Sequence, residues 1–170
     1  MECYLGVDPS LTGCAVAVID NKGAFIESQR FNNKLRGVER LIFIREKVYQ
    51  FTCIYNIQLI GIEGYARGAR NRREEAGELG GLLRIIFYER NIPWIDIAPS
   101  QLKKFATGKG NTQKDHVLLA IYKKWGIEFK TNDEADAFVA AQVVRAMDLL
   151  KHDDLRKYEI EVLKKLGKGA

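Results

Sequence analysis

A single acidic residue ends an apolar run and is followed by a cluster of arginines in the segment LIGIEGYARGARNRREEAG, residues 59–77. The acid is Glu63, and the arginines after it are Arg67, Arg70, Arg72 and Arg73. A carboxylate attracts cations, whereas clustered guanidinium groups attract anions such as phosphate. A phosphodiester held beside a metal ion needs both kinds of group at once. The segment therefore predicts a site where a phosphodiester lies next to a bound cation.

Three further acids stand at the ends of predicted regular elements. Asp8 closes the first strand, directly before a proline, and Asp133 and Asp136 begin an apolar helix. A spacing of three places Asp133 and Asp136 on the same helix face. Each acid alone also has an ordinary explanation, because aspartate is common in turns and complements the dipole at a helix start. A glutamate at a strand end can equally be the point where the strand reaches water.

The four acids together favour a metal site. If they converge at one sheet edge, their mutual repulsion requires a cation. The chain has two histidines, His116 and His152, and no C-x-x-C pair, which argues against zinc. Carboxylates without nitrogen or sulfur ligands suit a hard, oxygen-preferring ion such as Mg²⁺, with Mn²⁺ expected to substitute for it. Two such ions about 4 Å apart form a clamp for in-line phosphodiester hydrolysis.

The elements that must position these acids are strands followed by alternating helices and strands. Period-two patterns and turn residues predict an antiparallel meander of three strands, and two later apolar runs predict two more. The predicted strands span 3–8, 13–20, 24–31, 57–63 and 92–98. The predicted helices span 35–56, 73–90, a segment from 99, then 112–125, 132–150 and 153–166. This order predicts an α/β fold with a central mixed five-stranded sheet flanked by helices.

The length and net charge of the chain limit the possible classes of protein. A chain of 170 residues suits one domain, with residues 1–150 as its body and 151–170 as a basic amphipathic C-terminal helix of the same domain. The net charge of +5 favours an anionic partner, nucleic acid or a membrane surface. No apolar run is long enough to span a membrane, and the N-terminus does not resemble a signal peptide. We therefore expect no membrane partner and a cytoplasmic location. The three cysteines, Cys3, Cys14 and Cys53, are widely spaced, and we expect them to be reduced, buried thiols.

Four segments match a known family in the same order along most of residues 1–147. They are LGVDPSLTG (5–13), IGIEGYA (60–66), IAPSQLKKFATGKGNTQKDHV (97–117) and NDEADAFVAA (132–141). The chain resembles the RuvC-type Holliday-junction resolvases of the RNase H-like nuclease superfamily. The third segment is the most specific, because its combination of APSQ, TGKG and spaced lysines is hard to obtain by chance. A bacterial or phage-infected cell is the expected setting.

The resemblance implies a structure-specific DNA endonuclease that resolves four-way junctions by paired, symmetric nicks. It implies that Asp8, Glu63, Asp133 and Asp136 are the metal-binding acids, and the two-ion clamp described above predicts two Mg²⁺ ions per active site. It also implies that Lys114 lies close enough to the active centre to assist catalysis. These five residues are the candidate catalytic group.

The resemblance also implies a DNA-contacting surface, with Lys103 and Lys114 near junction phosphates. Tyr65 is the nearest match to an aromatic residue that contacts the opened junction in relatives, although its spacing differs by one residue. With the arginines described above, the predicted DNA-binding residues are Tyr65, Arg67, Arg70, Arg72, Arg73, Lys103, Lys104, Lys109 and Lys114. The alternative for the lysines is an ordinary solvated helix face.

A homodimer is expected because a four-way junction presents two equivalent strands to cut. A C₂ dimer would supply two sites related by the two-fold axis of the junction, and such dimers are the commonest assembly. Gly77, Gly80 and Gly81 interrupt the predicted helix 73–90. They allow either the approach of a partner helix or tight packing on the chain's own sheet.

Three other functions remain open at this stage. The first is another nuclease of the superfamily, acting on an RNA–DNA hybrid or on branched or flap DNA. The second is a non-catalytic junction-binding protein, which the presence of all four acids disfavours. The third is a sugar-kinase-like or actin-like nucleotide binder, suggested by GVDPSLTG, but those proteins need a second domain that 170 residues cannot supply. We therefore expect no nucleotide cofactor.

Overall fold

The structure, a computed structural model, describes residues 1–64, 73–149 and 155–167, and these form five strands and six helices. All five strands lie before residue 98, and four helices follow them. In chain order the elements are β1 (Glu2–Asp8), β2 (Gly13–Asp20), β3 (Phe25–Asn32), α1 (Gly37–Ile54), β4 (Asn56–Glu63), α2 (Arg73–Glu89), β5 (Trp94–Ile97), α3 (Pro99–Thr107), α4 (Lys114–Trp125), α5 (Asn132–Leu149) and α6 (Lys157–Leu166).

The sheet has the order β3-β2-β1-β4-β5, with β1 in the centre. β1 pairs antiparallel with β2, and β2 with β3, whereas β1–β4 and β4–β5 are parallel. This confirms the predicted mixed sheet with an antiparallel meander. Val7 lies opposite Ile62 in the β1–β4 register. Because the two strands are parallel, the residues that follow this pair, Asp8 and Glu63, leave the sheet at the same edge.

Helix α5 lies directly on one face of the central strands. Gly6 of β1 and Gly61 of β4 are neighbours in the register. A Cβ atom on Gly6 would overlap the backbone carbonyl of Ala137, and one on Gly61 would overlap that of Ala140. The glycines and the alanine-rich helix therefore permit a helix-to-sheet approach that larger side chains would prevent. This close contact sets the height of the first turn of α5 above the strand ends.

The other helices complete two apolar layers. On the far face, α1 and α2 bury Ile44, Val48 and Leu83 against the sheet. On the α5 side, α3, α4 and α6 add a second shell of apolar side chains, including Leu102, Val117 and Leu163. We expect each such fully buried side chain to contribute roughly 1.5–3 kcal/mol of burial free energy. The sheet edge that carries Asp8 and Glu63 therefore belongs to strands that are packed on both faces.

Small differences separate the predicted and observed elements. β5 is shorter than the predicted strand 92–98, because Pro93 has no N–H for a sheet ladder and precedes its first residue. α6 begins at Lys157, later than the predicted start at 153.

Cys3 and Cys14 are buried as expected, but Cys53 is exposed on the outer side of α1, so that expectation was wrong for one thiol. Among the described residues, no helix combines the length and apolar character needed to cross a bilayer.

Candidate active site

Three carboxylates converge where the central strands end. Asp8 at the end of β1, Glu63 at the end of β4 and Asp136 in the first two turns of α5 each offer an oxygen, and these oxygens lie within 4.8 Å of one another. All three side chains are half-buried. Oxygens this close can share one cation or two adjacent cations as ligands. The convergence that the sequence suggested is therefore present for three of the four acids.

Burial and mutual repulsion make this cluster hard to ionise without a cation. Desolvation, followed by repulsion from Asp136 and Asp133, raises the pKa of Asp8 to about 7. Desolvation and the charges of Asp8 and Asp136 raise the pKa of Glu63 to about 9. Burial also raises the pKa of Asp136 to about 6. Strongly raised carboxyl pKa values in one cluster are typical of a functional site rather than of surface acids.

Two lysines act on the same cluster through their charge. Lys114, the first residue of α4, lowers the pKa values of both Asp8 and Asp136. Lys103 of α3 lowers those of Glu63 and Asp136. Both lysines therefore stand near the acids, and their approach to a junction phosphate stays a prediction. Neither has an ion-pair partner among the described residues, so each remains available to an anion.

The other two predicted lysines are placed differently. Lys104 forms an ion pair with Glu161 of α6 at 2.7 Å, which partly occupies its ammonium group. Lys109 follows Gly108, which ends α3 with a φ of 84°. The Thr107 hydroxyl bridges this turn, accepting from the Lys109 N–H at 3.1 Å. The turn therefore presents Lys109 to solvent.

Asp133 is held outside the three-carboxylate cluster. Its Oδ2 accepts a hydrogen bond at 2.6 Å from Nε of Arg30, which projects from β3. The Arg30 guanidinium also donates to Asn32. It lies across Gly13 of β2, where a Cβ atom would overlap it. The neighbouring Glu134 is anchored to β3 as well, accepting from the Ser28 hydroxyl at 2.9 Å.

Arg30 is a site residue that sequence reasoning missed. The available signal was the period-two spacing of Ser28, Arg30 and Asn32, which places three polar groups on one face of β3. The partner of that face could not be known before the position of α5 was known.

Four of the nine predicted DNA-binding residues lie outside the described residues. Tyr65, Arg67, Arg70 and Arg72 all fall between 64 and 73. Arg73 begins α2, and only its backbone is described. The roles assigned to these five residues therefore stay predictions.

A mixed sheet with three acids at the carboxyl edge of its central strands, covered by a helix that supplies one of them, defines an RNase H-like nuclease fold. The family model described as crossover junction endodeoxyribonuclease RuvC matches residues 4–144. The chain belongs to the RuvC family.

Individual relatives are similar over most of the chain. The crossover junction endodeoxyribonuclease RuvC of Synechococcus sp. (strain CC9311) is 26% identical over 151 residues, covering 81% of this chain and 94% of the relative. That of Rhodococcus jostii (strain RHA1) is 29% identical over 147 residues, covering 81% and 77%.

Solved structures share the fold at low sequence identity. Thermus thermophilus RuvC superposes with a TM-score of 0.75 at 18% identity, covering 86% of this chain and 96% of that one. The same protein in complex with a Holliday junction substrate gives a TM-score of 0.71 at 18% identity, covering 82% and 90%. The yeast mitochondrial Holliday junction resolvase Ydc2 gives 0.62 at 14% identity, covering 96% and 84%. These likenesses show a common architecture.

Proposed function

We propose that the chain is an endonuclease that resolves four-way DNA junctions by paired, symmetric nicks through metal-assisted phosphodiester hydrolysis. The observation that carries the proposal is the convergence of Asp8, Glu63 and Asp136 at the carboxyl edge of β1 and β4. Membership of the RuvC family supports it, because the relatives bear the name crossover junction endodeoxyribonuclease. The bacterial sources of those relatives favour action in the cytoplasm of a bacterial or phage-infected cell.

The donor set fits Mg²⁺, with two ions per site and Mn²⁺ as a substitute. Asp8, Glu63 and Asp136 supply only carboxylate oxygens, the ligands that hard divalent cations prefer. Asp133 is proposed as a fourth ligand, since its Oδ1 has no hydrogen-bond partner among the described residues while Oδ2 is bound to Arg30. When bound, such ions activate a water molecule and stabilise charge on the phosphoryl oxygens.

The chain's own residues are proposed to orient the scissile phosphate. Lys114 and Lys103 approach the acid cluster from α4 and α3, so their ammonium groups can bind the non-bridging oxygens of a phosphate that lies beside the acids. A fixed cation there would favour the extra negative charge of the transition state over the ground state. The helix dipole at the start of α4 adds to this attraction, because Lys114 is its first residue.

The rest of the DNA would follow the basic surface on either side of this centre. We propose that Tyr65, Arg67, Arg70, Arg72 and Arg73 contact the branch point or its phosphates. On the other side, Lys109 is free to contact DNA, whereas Lys104 would first have to exchange its partner Glu161.

A C₂ homodimer is proposed through the outer face of α2. Gly77, Gly81, Ile85 and Tyr88 form one stripe along this helix, at the spacing of a single helical face. Ile85 is 53% exposed and Tyr88 is 75% exposed. A Cβ atom on Gly77 or Gly81 would meet nothing within 4 Å in the described part of the chain. This favours the approach of a partner helix over packing of these two glycines on the chain's own sheet.

The test is cleavage of a synthetic four-way junction with Mg²⁺, run beside a linear duplex of the same sequence and an RNA–DNA hybrid. We expect two nicks at symmetric positions in opposing strands of the junction and no cutting of the linear duplex. The Glu63→Gln variant is the matched control for a contaminating nuclease. Cutting of the hybrid alone would assign the site to an RNase H activity. Tight junction binding without cutting in any divalent metal would indicate a non-catalytic junction-binding protein.

A further inference from the structure

A basic cleft of about 450 Å³ opens between α4, the turn after α3 and the start of α6. Its polar lining includes Lys109, His116, Lys123, Lys124 and Arg156. Leu119 and the ring of Tyr158 add apolar surface. Among the residues that the structure describes, no acidic side chain lines the cleft. The cleft is separate from the carboxylate cluster, because none of the three acids takes part in it.

Within the described parts of the chain, most of the positive charge of the cleft has no acidic partner. Lys124 is neutralised by Glu159, a carboxylate that is 1% exposed and lies behind the cleft wall. Lys109, Lys123 and Arg156 are exposed and have no ion-pair partner among the described residues. The Arg156 guanidinium donates to the Tyr158 hydroxyl at 2.9 Å. Three cations around a concave surface favour an anion, and a phosphate group suits their donors.

The walls of the cleft are fixed before any ligand arrives. Helix α6 is docked by the buried side chains of Val162, Leu163 and Leu166, and by the ion pair between Lys104 and Glu161 at 2.7 Å. The Tyr158 ring packs on Gly108, where a Cβ atom would lie 3.4 Å from it. A preformed site loses little binding free energy to the ordering of its own residues.

Helix α4 connects the cleft to the acid cluster. It begins at Lys114, beside the acids, and His116, Leu119 and Lys123 follow along one face toward the cleft. Lys123 lies nine positions after Lys114, which corresponds to about 13 Å of helix at 1.5 Å per residue. Duplex DNA rises about 3.4 Å per base pair along its axis, so an arm that runs along α4 would advance roughly four nucleotides over this length.

We propose that this cleft binds a backbone phosphate of the DNA arm that leaves the active site, about four nucleotides from the scissile phosphate. The C-terminal helix α6 supplies one wall, and it lies beyond the segment 4–144 that matches the RuvC family model. The site would therefore lengthen the DNA footprint of this chain beyond the nuclease core. The inference rests on the proposed function, because it takes branched DNA as the ligand.

The test is junction affinity as a function of salt, with Ca²⁺ replacing Mg²⁺ to suppress cleavage. The variant Lys123→Ala/Arg156→Ala removes two exposed cations from the cleft. The matched control, Lys22→Ala/Lys47→Ala, removes two cations from the hairpin between β2 and β3 and from α1 on the opposite face. We expect the cleft variant to bind roughly tenfold or more weakly near 0.1 M salt, with the salt slope reduced by about 1 to 2. The control should match the unmodified protein.

A second measurement locates the contact. A junction with a neutral methylphosphonate about four nucleotides from the cut site should weaken binding of the unmodified protein and leave the cleft variant unchanged. Equal affinity and equal salt slope for the cleft variant and the control would overturn the inference, provided that both have unaltered thermal unfolding. Failure of the proposed function looks different, because the unmodified protein would then show neither preference for the junction nor cleavage.

Discussion

Arg30 on β3 holds the Asp133 carboxylate of α5 through a hydrogen-bonded ion pair of 2.6 Å between Nε and Oδ2. The pair joins the antiparallel meander to the first turn of the helix that carries Asp136. The side chains are 29% and 27% exposed, so the pair is only partly screened by solvent. Because Arg30 fixes one oxygen of this carboxylate, the other oxygen points in a set direction. Residues that hydrogen-bond to metal ligands orient those ligands in the same way in other proteins.

The first prediction concerns this pair. Arg30→Ala should raise the Mg²⁺ concentration needed for half-maximal junction cleavage by roughly 10-fold or more, because residues that orient metal ligands have effects of this size. The measurement is a cleavage titration with Mg²⁺. Ser28→Ala is the control, since Ser28 lies on the same face of β3 but hydrogen-bonds Glu134 rather than Asp133. An unchanged Mg²⁺ requirement in Arg30→Ala would remove Arg30 from the site.

The second prediction separates the acids from DNA binding. Asp8→Asn, Glu63→Gln and Asp136→Asn should each lower the cleavage rate by about 10³-fold or more while junction affinity in Ca²⁺ stays near normal. The reason is that phosphate contacts dominate affinity, whereas the acids act through the metal. Asp133→Asn should have a smaller effect, because its carboxylate lies outside the cluster of three. Near-normal cutting by any of the first three variants would exclude that residue from catalysis.

The third prediction is a dependence of stability on pH without metal. Burial and mutual repulsion raise the pKa of Asp8 to about 7 and that of Glu63 to about 9, so the folded chain keeps protons that the unfolded chain has lost. The free energy of unfolding should therefore fall as pH rises from about 4 to about 9. At pH 8, Glu63→Gln should raise this free energy by on the order of 1 to 3 kcal/mol.

Urea unfolding across this pH range, with EDTA present, measures the effect. The exposed Glu128→Gln serves as the control variant. Mg²⁺ should restore stability at pH 8 to the unmodified protein, because an ion that binds only the folded state stabilises it by mass action. A flat pH profile without metal would contradict the proposed origin of the raised pKa values.

The fourth prediction concerns Lys114. Lys114→Ala should lower the single-turnover cleavage rate more than it lowers junction affinity, since a cation beside the scissile phosphate acts on charge that develops in the transition state. We expect a loss of about 10²-fold in rate and less than tenfold in affinity. Lys130→Ala, an exposed lysine of the loop before α5, is the comparison. Equal losses in rate and affinity would mean that Lys114 only binds DNA.

The fifth prediction concerns the dimer. Gly81→Arg should produce a monomer, because the added side chain would stand on the exposed stripe of α2 where a partner helix is expected. The chain itself leaves space for the side chain, so thermal stability of the folded unit should be little changed. Analytical ultracentrifugation measures the mass, and the nicks in the two junction strands should become uncoupled. A monomeric unmodified protein, free and on a junction, would defeat the dimer proposal.

The sequence by itself determined which segments form strands and helices, and which acids stand at the ends of those segments. Period-two and 3.6-residue patterns, together with turn residues, record which backbone form each segment adopts, because these signals are local. They predicted the mixed five-stranded sheet, and they placed Asp8 and Glu63 at strand ends and Asp136 in the first turns of a helix. The family segments pointed to the same acids.

Tertiary structure alone decided which side chains meet. The Arg30–Asp133 pair depends on how α5 crosses the sheet, and that crossing is set by the glycines of β1 and β4 under the alanine face of α5. The cleft between α4 and α6 depends on where the C-terminal helix docks. Such contacts join segments far apart in the chain, and their geometry follows from the packing of the whole core rather than from any local pattern.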